Sequence, residues 1–380
     1  MRKKICFVVT IPEIVHAFLK DHIAALSKDY DVFLVGDIPD LKKVDGLAIK
    51  EYKNIKISRK ISITDDLKAT WNLYQYIKKN RFDVVHSAMP KAGLLAALAS
   101  KMARVPNRIH IFTGQVWATR HGVMRILLKS MDRIICILNN YILVDGKAQR
   151  DFLVSEQVVS PNKAMVFGEG SICGVNTERF SPSDNTRKEE RSKYGIKESG
   201  LSYIFLGRLN HDKGTYDLLA AFNKIAGKYD DVYLILAGAD EEGCIGMLDK
   251  YSNIKRDKNL FYVGYVNHPE TYLQAGDVFC LPSYREGFGS SVIEAACLGV
   301  PAICSDVYGL RDAIVDGKTG LRCKVGDVDS LYSCMEILYK DRIKQKNYGL
   351  AARERVLNTF KGEIITAYWV EFYKRIMEDR

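Results

Sequence analysis

No apolar run in this chain approaches the ~20 residues needed to cross a bilayer. The longest are short, such as Ile134–Leu138, and the stretch before it carries Arg125, Lys129, Asp132 and Arg133. The amino terminus MRKKICFVVT starts like a signal peptide, but Pro12 and Glu13 end its apolar run, and it reads better as a first buried strand. Cysteine pairing is lacking too. Nine cysteines stand singly, at 6, 136, 173, 244, 280, 297, 304, 323 and 334, with no CxxC among them. That excludes a disulfide scaffold and fits a reducing cytosol. The seven histidines show no metal-ligand spacing, so no bound metal is expected. No nucleic-acid-binding motif and no low-complexity basic tail is present.

A hydrophobic content of 47% with a mean hydropathy of −0.12 describes a soluble globular protein. A length of 380 residues predicts two domains rather than one core. The net charge of +10 is unevenly placed. Residues 1–175 hold 27 Lys and Arg against 16 Asp and Glu, and the remainder holds 29 against 30. The excess is either an ordinary solvated surface or a face that meets an anionic partner, such as a phospholipid surface or a pyrophosphate-linked substrate.

Apolar strand-like runs alternate with helix-length amphipathic segments, the pattern of a parallel-sheet α/β protein. KKICFVVT, DVFLVG, FDVVHSAM, RIHIFT, YILVDG and AMVFGEGS form one series. SYIFLG, VYLILAG, LFYVGY, VFCLPS and PAICSD form a second. Between them VNTERFSPSDNTRKEERSKYGIKES, residues 175–199, is polar and lacks a strand pattern. The sequence therefore predicts two Rossmann-like domains facing a central cleft, residues 1–172 and 173–360. A closing helix, residues 361–380, has a Trp369/Phe372/Ile376 stripe suited to packing back on the first domain. Ligands in such sheets bind beyond the carboxyl ends of the strands.

Two loops at strand ends carry chemistry. SYIFLGRLNHDKGTYDLL places Gly207 and Arg208 at a strand end, and Lys213 and Gly214 before a helix with Thr215 as its N-cap. Exposed helix amides and two cations attract phosphate; alone, the same loop also reads as an ordinary connection with solvated lysine and arginine. VFCLPSYREGFGSSVIEAACLG reads as strand, glycine loop, helix. Ser291 and Glu294 fit a capping box, so Glu294 either caps its own helix or accepts hydrogen bonds from ribose hydroxyls. Glu286, ahead of the glycines, is either a solvated carboxylate or a ligand for a polyol beyond an anion site. The GFG turn lets amides approach phosphate closely, because glycine has no Cβ and tolerates positive φ. Lys91 stands in the strand-to-helix turn PKAGLL, either as a routine loop lysine or against an acceptor pyrophosphate. Arg104, Arg108, Arg120 and Arg125 add positive charge nearby in sequence. Trp71, Tyr74 and Ile77, with Lys78 and Lys79, form either a core-facing stripe or a membrane-contacting helix. GDVDS, 326–330, mimics a metal-binding acidic pair but reads as a turn before a helix.

GRLNHDKG and EGFGSSVIE, an E-x7-E element, resemble the donor-site motifs of retaining glycosyltransferases of the GT-B type, family 4, the glycogen-synthase-like group. VNTERF is similar to that family's interdomain segment, and the resemblance covers essentially the whole chain. HSAMPKAGLLAALASKMARVPNRIH and FTGQVW further resemble members that build bacterial polysaccharides on polyprenyl-pyrophosphate carriers.

The resemblance implies a metal-independent transfer from a nucleotide sugar, usually UDP-linked, with retained configuration and no cofactor. Arg208 and Lys213 would then neutralise the leaving diphosphate, Glu286 would contact the sugar, and Glu294 would grip the ribose. Gly207, Gly287, Phe288, Gly289, Ser290 and Ser291 complete the expected donor site. Lys91, Gly93, His16 and Arg120 are the expected acceptor-binding residues. Two departures stand out. TIPEIVHAF has no glycine after the first strand, and Gly114-Gln115 stands where many members have a histidine. His121 is a further candidate, whereas His110 lies within a strand and is expected in the core. The expected partners are a nucleotide-sugar donor, a lipid-linked glycan acceptor and an anionic membrane surface, with no nucleic acid; the expected location is cytoplasmic, peripheral at the inner membrane face. A nucleotide-sugar epimerase on a similar fold, and a non-catalytic nucleotide-sugar-binding subunit, are the alternatives.

Overall fold

The first strand shows how the amino-terminal sheet is buried. β1 (Lys4–Val8) sends Ile5 and Phe7 into one apolar cluster, and its Val85-side neighbours Cys6 and Val8 into another. A strand covered on both faces has no polar side, so after Lys4 the run ICFV is continuously apolar rather than alternating. The computed structural model describes residues 2–58 and 62–378. It divides into two units, Met1–Cys173 with Gly362–Arg380, and Gly174–Lys361.

The first unit is built on seven parallel strands: β1, β2 (Asp31–Gly36), β3 (Glu51–Asn54), β4 (Val84–Ala88), β5 (Asn107–Phe112), β6 (Tyr141–Val144) and β7 (Ala164–Met165). Their order is β3-β2-β1-β4-β5-β6-β7. The helices α1 (Lys20–Leu26), α2 (Ile63–Asn80), α3 (Pro90–Met102) and α4 (Gly122–Leu138) cover it. Leu73, Tyr76 and Ile77 of α2 are buried, while Trp71 is 53% exposed. The expected Trp71/Tyr74/Ile77 stripe is therefore split, its last member inside the core.

The second unit has six parallel strands: β8 (Leu201–Leu206), β9 (Val232–Ala237), β10 (Leu260–Gly264), β11 (Val278–Leu281), β12 (Ala302–Ser305) and β13 (Gly320–Cys323). They are ordered β10-β9-β8-β11-β12-β13. Two of its helices bear on function, α5 (Thr215–Ala226) and α6 (Ser290–Cys297). Asp327 of the GDVDS turn accepts from the Ser330 amide at 2.9 Å and caps the helix Val328–Lys340, as its turn-like sequence predicts.

The closing helix α7 (Gly362–Glu378) returns to the first unit; residues 379–380 lie outside the described residues. Trp369 and Tyr373 are fully buried, with Phe372 and Ile376 each 3% exposed. Trp369 stacks on His22 at 4.5 Å and His86 at 5.1 Å, and His86 Nδ1 meets the Tyr373 hydroxyl at 2.7 Å. Burial disfavours the charged imidazole and lowers the pKa of His22 to about 4. Each large apolar side chain so buried contributes about 1.5–3 kcal/mol, which is why the stripe read from spacing ends inside the core.

Strand order reverses between β1 and β4 in the first unit and between β8 and β11 in the second. Loops leaving the carboxyl ends at such a point diverge and open a crevice for ligand. The Lys91 turn follows β4, the Arg208–Gly214 loop follows β8, and the Glu286 loop follows β11.

Candidate functional site

In the second unit the two switch-point loops bring together side chains 73 positions apart. Asn210 accepts from the Lys213 amide at 3.0 Å and shapes the short turn His211–Lys213. Gly214 follows at φ 69°, where a Cβ would lie 2.0 Å from the Pro282 carbonyl oxygen. Only glycine lets the β8–α5 loop cross beneath β11 this closely. Thr215, expected as the N-cap of α5, is instead its first helical residue. Gly214 takes the cap position, and the Thr215 hydroxyl turns back to accept from the Asn210 amide at 3.1 Å.

Lys213 Nζ then lies 2.5 Å from Glu286 Oε1, and the Ser283 hydroxyl donates to the same oxygen at 2.8 Å. The lysine and glutamate side chains are only 21% and 11% exposed. Arg208 stands more open, and its Nη1 meets the two oxygens of Glu241 at 3.0 and 3.2 Å. Asn210 also donates to Glu241, at 2.7 Å. Both cations expected at a diphosphate are therefore matched by carboxylates within the unit, one of them the expected sugar ligand itself. Glu241 was not among the sequence candidates. Its signal was the acidic turn GADEEG directly after β9, at the same sheet edge.

The glycine loop holds α6 at a different register from the one expected. Gly289, at φ 78°, occupies the N-cap position with no side-chain cap, and the helix begins at Ser290. Ser291 and Glu294 form no capping box, because Glu294 is the fifth helical residue, past the reach of the cap amide. Phe288 is buried and packs edge-on to Phe360 at 5.4 Å, so its side chain belongs to the core and only its amide is suited to a ligand. The Gly207 amide is likewise committed, donating to the Ala237 carbonyl at 2.9 Å. Gly287, Ser290 and Ser291 are partly exposed.

Glu294 is half-buried and makes no side-chain hydrogen bond among the described residues. Burial pushes its carboxyl up to about 7, opposed by the Arg179 guanidinium of VNTERF and reinforced by Glu270. The sign follows from linkage. Between about 4.5, its ordinary value, and about 7 the folded chain keeps a proton that the unfolded chain has released, so stability is lost as pH rises through that window. Glu294→Gln, which cannot ionise, is expected to unfold at higher temperature than wild type at pH 8 and alike at pH 4, a difference of about 1–3 kcal/mol. Thermal unfolding at the two pH values checks it.

In the first unit Met89, a non-glycine residue at φ 75°, sets up the turn into Pro90, the first residue of α3. Holding such a backbone costs about 1–3 kcal/mol and is commonly found where a loop is positioned for a ligand. Lys91 follows, its Nζ 2.7 Å from Asp66. A cavity of about 480 Å³ lies here, lined by Thr10, Lys91, Leu94, Trp117, Arg120 and Asp132 among others. The structure thus brings Lys91 and Arg120 to one cavity. It leaves out His16, which is exposed on the turn Val15–Leu19, and His121, exposed ahead of α4. Gly93 has a packing role rather than a binding one. A Cβ there would lie 2.3 Å from the His110 ring, and His110 is itself buried, as its place in a strand predicts. Asp132, missed from sequence, accepts from Trp117 Nε1 at 2.7 Å, and burial pushes its carboxyl up to about 7. Its signal was a lone acid within an otherwise apolar and basic helix.

Comparison with known proteins identifies the family and the fold. Residues 4–137 match the model for glycosyl transferase 4-like domains, and residues 186–355 match that for glycosyl transferases group 1. The capsular polysaccharide biosynthesis glycosyltransferase CapM of Staphylococcus aureus is 29% identical, over 93% of this chain and 92% of CapM. An Escherichia coli UDP-Gal:alpha-D-GlcNAc-diphosphoundecaprenol alpha-1,3-galactosyltransferase is 26% identical, over 80% of this chain and 78% of its own. Among solved structures, Anabaena HepE in complex with UDP aligns with a TM-score of 0.80 at 15% identity, covering 98% of this chain and 100% of HepE, a likeness of fold alone. With a glycosyltransferase model matched in each unit and the fold shared along the chain, this chain is a glycosyltransferase of the GT-B type.

Proposed function

We propose that the chain transfers a sugar from a UDP-linked donor, with retained configuration, to a polyprenyl-diphosphate-linked glycan in the synthesis of a bacterial surface polysaccharide. The observation that carries this reading is the Lys213–Glu286 contact beside Arg208 at the switch point of the second sheet. Two cations there suit a diphosphate, and the second oxygen of Glu286, which has no hydrogen bond among the described residues, suits a sugar hydroxyl. Glu294, whose carboxyl makes no side-chain hydrogen bond among the described residues and is pushed up by burial, suits a ribose diol, to which it can donate or accept. In the first unit Lys91 and Arg120 suit the acceptor's phosphates. The relatives' substrates, a UDP-sugar and a diphosphoundecaprenol-linked sugar in the Escherichia coli enzyme, support the same assignment.

Chemically, the bond from the anomeric carbon to the diphosphate breaks while the acceptor oxygen bonds to that carbon from the same face. The acceptor proton passes to the departing phosphate oxygen. Arg208 and Lys213 stabilise the charge that develops on the leaving group, so the proposed reaction asks for no metal. Glu286 stabilises the positive charge left on the sugar. The acceptor's lipid places the enzyme at a membrane surface, and among the described residues no helix is long and apolar enough to cross one.

The test is UDP release from a panel of UDP-sugars, with EDTA present, with and without an extract of bacterial polyprenyl-linked saccharides. The expected result is release that needs one donor together with the extract. Conversion of a donor without acceptor, or no acceptor-dependent release from any donor, would overturn the reading.

A further inference from the structure

The outer face of α4 is apolar where a surface helix ordinarily carries charge. Val123, Ile126, Leu127, Ile134 and Ile137 are 82%, 66%, 46%, 42% and 75% exposed. Their spacing sets them on one side of the helix over four turns. The helix's own cations do not cover that side. Arg125 and Lys129 lie over the Trp117 ring, at 5.0 and 5.5 Å from its centre, and both bind Glu156, at 2.9 and 2.6 Å. Arg133 Nε donates to the Gln157 carbonyl at 3.0 Å. The side facing the protein holds Asp132, Ile135 and Cys136. The helix is inverted relative to the usual surface pattern.

Positive charge flanks this apolar face at both ends. Lys101, Arg104 and Arg108 line a surface cavity of about 600 Å³ together with Asn140, just past the last turn, and no carboxylate lines it. Arg108 is tied to the helix end by its Nε donating to the Leu138 carbonyl at 2.8 Å. Arg120 precedes the first turn. An apolar strip bounded by cations is what a helix lying in the headgroup boundary of an anionic bilayer presents, buried about 5–10 Å deep. A second copy of the chain fits less well, because a twofold contact sets like patches against each other and crowds these cations together.

We infer that α4 docks this enzyme on an anionic lipid leaflet, with Val123, Ile126, Leu127, Ile134 and Ile137 at the acyl boundary and Lys101, Arg104 and Arg108 against lipid phosphates. The inference rests on the reading that the acceptor is lipid-linked, and it names the surface that meets the lipid.

The experiment is sedimentation of the full-length chain with vesicles of phosphatidylcholine alone or mixed with phosphatidylglycerol, at low and high salt. Wild type is expected to bind the mixed vesicles and to lose binding as salt rises. The double variant Ile126→Ser/Ile137→Ser, altered only at exposed positions, is expected to partition about 10–100-fold more weakly. Lys101→Ser/Arg104→Ser is expected to lose the preference for phosphatidylglycerol. A circular dichroism spectrum and a melting temperature unchanged from wild type show for each variant that the fold is retained. Wild-type binding that the Ile126/Ile137 change leaves intact overturns the α4 surface while sparing the membrane reading. No binding to either vesicle overturns both. A dimer that dissociates in the double variant, with vesicle binding unaltered, identifies the face as a self-contact and also overturns the inference.

Discussion

Glu286→Ala is expected to slow sugar transfer by about 100–1000-fold, the loss seen when one positioned electrostatic group is removed from a reacting centre. A second effect, of opposite sign, is expected in the same variant. Glu286 is the counter-ion of Lys213 at 2.5 Å, in a place where the two side chains are only 11% and 21% exposed. Removing the carboxylate frees the ammonium for a diphosphate, so UDP should bind at least as tightly as to wild type while turnover falls. Glu286→Gln keeps an acceptor for the Ser283 hydroxyl but not the charge, and should behave alike. Calorimetric UDP affinity measured beside turnover checks the split. If UDP affinity collapsed together with the rate, Glu286 would be holding the loop in shape rather than acting on the sugar.

The largest expected effect on stability is at Gly214. Alanine there meets two penalties: a left-handed backbone at φ 69°, and a Cβ 2.0 Å from the Pro282 carbonyl oxygen. Strain alone costs about 1 kcal/mol for a non-glycine residue in this conformation. The clash is with backbone of a buried neighbouring strand end, which cannot move aside as a flexible side chain would. A total of about 3–5 kcal/mol is expected, lowering the melting temperature of the second unit by about 10 °C. Gly243 is the control, since its φ is also 69° but nothing lies within 4 Å of the added atom. Gly243→Ala should cost only the strain. Equal losses at the two positions would show that the approach of the β8 and β11 loops is not what demands glycine. Because Lys213 precedes Gly214, the Gly214→Ala chain that remains folded should also transfer sugar more slowly.

The two parallel sheets were legible because strands buried on both faces must be apolar, and ICFV, YIFL and VFCL are. The Trp369/Phe372/Ile376 stripe was legible for the same reason, as was the place of Arg208, Lys213 and Glu286 at strand ends. Sequence by itself determined which loops carry charge and glycine. What it left open were pairings between distant loops. That Lys213 is held by Glu286, and Arg208 by Glu241, depends on strand order, since β8 borders both β11 and β9 only once the sheet has formed. The start of α6 escaped as well: Ser291 and Glu294 fit a cap by spacing, but Gly289 took the left-handed cap position two residues earlier. The orientation of α4 escaped most completely. Periodicity shows that a helix has two faces but not which of them meets the sheet. Here packing on Trp117 turned Asp132, Arg125 and Lys129 inward and left isoleucine and valine outside.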